Sequence, residues 1–177
     1  ISSSGVLTFV AAPDFETKSS YTATVTVNDG VNNASQAITV TVTNVNDIAP
    51  VISSAATFNA AENQTAIGSV VATDAEGDSL TYKVSGTEFA ISSSGVLTFV
   101  AAPDFETKAT YTATVTVNDG IFNISQAITV SVTNVNDIAP VISSDATFSA
   151  AENQTAIGSV VATDAEGDSL TYKVSGT

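Results

Sequence analysis

The chain has 177 residues, with 4 lysines, no arginine and 18 aspartates and glutamates, for a formal net charge of −14. That balance excludes nucleic acid as a partner, because phosphate binding needs clustered Lys and Arg. Cysteine, methionine, tryptophan and histidine are absent, which removes a disulfide framework, a thiolate zinc site and the commonest general base and transition-metal ligand.

The expected elements are all strands. Short apolar runs at 51–59, 65–73, 79–85, 88–92 and 96–100 are separated by the turn-forming stretches DAEGDS and SSSG. Residues 111–119 (YTATVTVND) then alternate Tyr111, Ala113, Val115 and Val117 against threonines. Residues 126–134 (QAITVSVTN) repeat the pattern with Ile128, Val130 and Val132. Period-two alternation bounded by Asn, Asp and Gly is the mark of a half-buried antiparallel strand. Seven such runs predict an all-β fold, a β-sandwich of short strands. None is long and apolar enough to read as a membrane helix or signal peptide.

The chain also repeats itself. Shifted by 90 positions it overlaps at 87 residues and differs at eight, Ser19/Ala109 and Asn32/Phe122 among them. A 90-residue period is too long for a solenoid unit and suits a small domain with its own core. Pro50 and Pro140 each follow a polar Asn/Asp stretch and precede a new apolar run, as a linker should. These signals predict an intact repeat at 48–137, preceded by the C-terminal half of another at 1–47 and followed by the N-terminal half of a third at 138–177.

The acids are not scattered. Sixteen of the 18 lie in short motifs that recur at the 90-residue interval, with Glu88 and Asp145 outside. In chain order the intact repeat carries AEN (Glu62), VVATDAEGD (Asp74, Glu76, Asp78), PDFET (Asp104, Glu106), VTVNDG (Asp119) and NVNDIAP (Asn134, Asn136, Asp137). A group of carboxylates without cationic partners repels itself, and a hard cation such as Ca2+, which takes six to eight oxygen ligands, removes that cost. Without such an ion, a polar Asn-x-Asn-Asp linker would be a flexible hinge.

This order of motifs resembles the cadherin repeat in the form found in bacterial surface proteins, and the resemblance spans the whole chain. It implies tandem seven-stranded Greek-key sandwiches, cadherin- or Ig-like, with calcium at each junction. Carried over, the first junction would draw on Asp14, Glu16, Asn44, Asn46, Asp47, Asp74, Glu76 and Asp119. The second would draw on Glu62, Asp104, Glu106, Asn134, Asn136, Asp137, Asp164 and Glu166. Two departures stand out: the linker opens with Asn44 or Asn134 where the family often has Asp, and the second acid of the DAE motif is Glu. The first junction lacks a counterpart of Glu62, and the second a counterpart of Asp119.

The implied function is mechanical: a calcium-rigidified spacer in a long extracellular, surface-anchored adhesin-like protein, not an enzyme. Near-identical copies suit a spacer, whereas a specific site is needed only once. A paired-carboxylate glycosidase is disfavoured because the same pair recurs in every repeat. Two alternatives remain: a calcium-dependent module that binds carbohydrate or a like domain, and a head-to-tail filament. The filament follows from the two outer halves being complementary, since only EFA (Glu88 to Ala90) separates their equivalents in the intact copy. The plainer account of the same halves is a window on a longer array. Finally, NQT (Asn63, Asn153), NAS (Asn33) and NIS (Asn123) match the glycosylation sequon, which occurs by chance in Asn/Ser/Thr-rich chains.

Overall fold

The computed structural model describes residues 1–176, and every element in it is a β-strand. The two alternating runs become the longest strands of the central repeat, β10 (Thr110–Asn118) and β11 (Asn123–Thr133), paired antiparallel from Thr110↔Ser131 to Asn118↔Asn123. Their inward positions are the ones the alternation selects: Val115, Val117, Ile128, Val130 and Val132 are buried while the intervening threonines and serines face out or sit at the rim.

This hairpin is the middle of one of two layers. One sheet has the order β4 (Thr57–Ala61), β11, β10, β7 (Thr81–Val84), with β4 parallel to β11. The other joins β5 (Ala66–Ser69), β9 (Val96–Phe99) and β8 (Phe89–Ile91). A short pair, β3 (Val51–Ile52) with β6 (Ala72–Thr73), sits beside them. The runs 51–59 and 65–73 are therefore each split. The first leaves β6 and crosses to β11, and the second breaks at Val70–Val71, where Val70 N–H donates to Gly95 O at 2.8 Å and Ser53 N–H to Val71 O at 2.8 Å. Strands that switch partners do so through such breaks.

Leu97, Phe99, Phe89 and Val70 meet the β10–β11 face in the core. Phe99 lies 4.9 Å edge-on to Tyr111 and 5.2 Å from Phe89. Gly95, at φ +82°, is required where it stands: a Cβ there would fall 2.3 Å from Val70 O.

The flanking residues copy part of the repeat. β1 (Ser20–Asn28) and β2 (Asn33–Thr41) pair in the register of β10 and β11, and β12 (Val141–Ile142) pairs with β13 (Ala162–Thr163) as β3 does with β6.

Candidate metal centres

The chemistry collects where one repeat meets the next. Glu62 follows the last residue of β4, and its N–H continues the parallel ladder by donating to Thr133 O. The chain then turns at Asn63, whose φ is +60°. This geometry carries the Glu62 side chain inward, where it is 2 % exposed. Its Oε2 accepts from Phe105 N–H at 2.9 Å and its Oε1 from Val135 N–H at 2.6 Å. One carboxylate thus ties the β4 turn to both the PDFET loop and the linker.

Around it stand three more. Oxygens of Glu62, Glu106, Asp137 and Glu166 lie within 4.8 Å of one another. Asp137 and Ile138 donate their N–H groups to the two Glu166 oxygens, at 2.9 and 3.1 Å, so the linker backbone holds the acid of the following repeat. The first junction repeats this contact: Asp47 and Ile48 N–H reach Glu76 at 3.1 and 3.0 Å, and Glu16, Asp47 and Glu76 form a second group within 4.8 Å. Among the described residues the ion pair is Lys108–Glu88, away from both groups. Partial desolvation, then the charges of Glu62, Glu166 and Asp104, hold the Glu106 carboxyl above its usual range. Glu16 is raised likewise, first by desolvation and then by Asp14 and Glu76.

A further set of oxygens lies beside each group. Asp74, Glu76 and Asp78 come within 4.8 Å of one another, as do Asp164, Glu166 and Asp168. Asp74 Oδ1 caps the turn, accepting from the N–H groups of Glu76 and Asp78 at 2.9 and 3.1 Å. Asp119 is 7 % exposed; its Oδ1 accepts from Ile121 and Phe122 N–H, and Asn46 Nδ2 donates to its carbonyl at 3.3 Å. Desolvation pushes the Asp119 carboxyl up, but these donors outweigh it and leave the group below its usual value. Asp78 has no such donors; desolvation and the charges of Asp74, Glu76 and Asp119 raise it. The other oxygens here, Oδ1 of Asn44 and Asn46 and Oδ2 of Asp74, Asp78 and Asp119, are buried without a hydrogen-bond partner. Buried orphan acceptors are costly and call for an ion or water.

Of the expected ligands, Glu16, Asp47, Glu62, Glu76, Glu106, Asp137 and Glu166 meet around the linkers, with Asp74 and Asp164 in the adjoining groups. Asp104 and Asp14 stand outside these groups and cap their own loops. Asp104 Oδ2 accepts from the Thr107 hydroxyl at 2.9 Å, Asp14 Oδ2 from Thr17 at 2.8 Å, and the Thr17 hydroxyl holds Asp14 below its usual value. Asn136 Nδ2 donates to Asp168 Oδ2 at 2.6 Å, whereas Asn134 is exposed. Asp78 and Asp168 were not expected as members; acids two and four places after the first in one turn were the available signal.

All donors are carboxylate or amide oxygens, a hard set that suits calcium and not a soft or imidazole-seeking metal.

Residues 46–133 match the bacterial Ig domain family. A segment of chitinase A from Pseudoalteromonas piscicida is 33% identical over 127 residues, covering 70% of this chain and 16% of that protein. The protocadherin gammaB7 EC3-6 cis-dimer structure superposes with a TM-score of 0.69 at 27% identity, over 86% of this chain and 45% of that one. Human protocadherin-24 EC1-2 gives 0.58 at 27% identity, over 65% and 59%. The chain spans less than two thirds of each of these proteins.

Proposed function

The chain is a tandem of cadherin-like, immunoglobulin-like repeats, and from that premise we propose that it is a calcium-rigidified spacer of an extracellular protein. The observation that carries this reading is Glu62: a fully buried carboxylate, held by two backbone amides, with three further carboxylates close by and no lysine among them. Such a group opposes folding through self-repulsion and desolvation, a cost that a bound cation removes. Calcium would be held in the second junction by Glu62, Glu106, Asp137 and Glu166, and in the first junction by Glu16, Asp47 and Glu76. The orphan oxygens of Asn44, Asn46, Asp74, Asp78 and Asp119 would serve a second ion.

Bound calcium supplies charge neutralisation; the chain's own part is to bring ligands from two repeats and the linker to one place. Binding that needs all three fixes their mutual arrangement by mass action. The intact unit is proposed as 48–137, with neighbouring repeats as its partners. Similarity to part of a chitinase is compatible with such spacers lying within enzyme polypeptides, and no catalysis is assigned to this segment.

Calcium titration by calorimetry, with small-angle scattering before and after chelation, tests the reading. Expected are saturable binding and a shorter, broader distance distribution on chelation. An unchanged maximum dimension would sink the rigid spacer. Saturable carbohydrate binding by the same chain would favour the binding module, and calcium-dependent growth in mass would add head-to-tail association.

A further inference from the structure

Asn63 is the residue that the proposed ligand set leaves out and the geometry brings in. It occupies the left-handed region, φ +60°, which L-residues other than glycine rarely adopt and which asparagine tolerates best. Asn153, one period later, has φ +61°, although no hydrogen bond from its side chain exists among the described residues. The local AENQT sequence therefore sets the conformation, and the contact that Asn63 makes is a use of it.

That contact reaches from the β4 turn to the linker at the far end of the same repeat. Asn63 Nδ2 donates to Asp137 Oδ2, while Asn63 N–H donates to Pro103 O at 3.0 Å. The backbone bond fixes the turn against the loop that carries Glu106, and the side-chain bond fixes Asp137, the linker member of the four-carboxylate group. We propose that Asn63 is a positioning residue for cation binding at this junction. Its carboxamide occupies one oxygen of Asp137 and so orients the other toward Glu62, Glu106 and Glu166. An amide suits the task because it donates a hydrogen bond without adding charge. Lysine would neutralise the group and compete with the cation, and aspartate would add a further negative charge. The NQT sequon thereby acquires a structural role: a glycan on Asn63 Nδ2 would displace the contact with Asp137.

The inference rests on the calcium reading above, and the experiment separates the two. Asn63→Gly keeps the left-handed turn at no steric cost and deletes only the amide. Calcium affinity of the whole chain is measured by competition with a chelator, for the wild type, Asn63→Gly, Asp137→Ala and the double variant, alongside melting in excess chelator. Expected is a 10- to 100-fold weaker second-junction site in Asn63→Gly, the loss usual for an outer-shell partner, with chelated melting undiminished. In the Asp137→Ala background Asn63→Gly should cause no further loss, because the amide then has nothing to orient. Wild-type affinity in Asn63→Gly, or losses that add in the double variant, would overturn the positioning role while leaving calcium binding intact. Absence of calcium binding in the wild type would instead remove the reading on which it rests.

Discussion

Glu62→Gln isolates the centre of the second junction, because the two side chains have the same shape. Glu62 is buried, and its two oxygens accept from Phe105 N–H and Val135 N–H at 2.9 and 2.6 Å. Glutamine has one oxygen, so its NH2 must face one of those donors, and one N–H loses its partner. A buried unsatisfied donor costs about 1–3 kcal/mol. In chelator that cost is partly offset, since the variant no longer repels Glu106, Asp137 and Glu166. In calcium the offset disappears and a ligand is lost as well. A tenfold weaker site removes about 1.4 kcal/mol of binding-derived stability once calcium is saturating. For a repeat of this size that is a fall of about 6–11 °C in the calcium-induced rise of Tm. Calorimetric melting of wild type and variant, each with calcium and with chelator, yields the double difference. A calcium-induced rise as large in Glu62→Gln as in the wild type would refute the assignment of Glu62 to the cation.

Other perturbations divide core from junction. Val130→Ala, at a fully buried core position, should cost about 1–3 kcal/mol in calcium and chelator alike, whereas Asp137→Ala should lower Tm only in calcium; equal loss in chelator would contradict the ligand role. Gly95→Ala places a Cβ against Val70 O at a positive φ and should destabilise under both conditions by more than Val130→Ala, as urea melts would report. In chelator, stability should rise as pH falls from neutrality toward about 4, because Glu106 and Asp78 are raised in the fold and their ionisation opposes it. Below that range it should fall again as Asp119, lowered in the fold, takes up its proton. Calcium should reverse the upper limb, since protons then compete with the ion, and a chelated stability that falls steadily from neutral pH would argue against charge repulsion as the controlling term.

Alternation and spacing determined a good deal about this protein. Tyr111, Val115, Val117, Ile128, Val130 and Val132 alternate with small polar residues, and side chains on a strand take opposite faces by covalent geometry alone. The hairpin and its buried face were therefore legible in one dimension. The recurrence of the acidic motifs at a 90-residue interval was legible as well, because it is a property of the chain itself. Tertiary structure decided what depends on separate segments coming together. The runs 51–59 and 65–73 read as single strands, yet each breaks where the backbone passes between sheets and Gly95 approaches Val70. Asp14 and Asp104 read as ligands by motif but stand apart from the grouped oxygens, because their own loops supply closer donors in Thr17 and Thr107. Glu62 and Glu106 carry the same formal charge in the sequence. Only packing of the β4 turn against Phe105 and Val135 buries the first and leaves the second at the rim. The bond from Asn63 to Asp137 spans 74 residues, and no local pattern encodes it, since it exists only when a left-handed turn and a linker from opposite ends of the repeat share one junction.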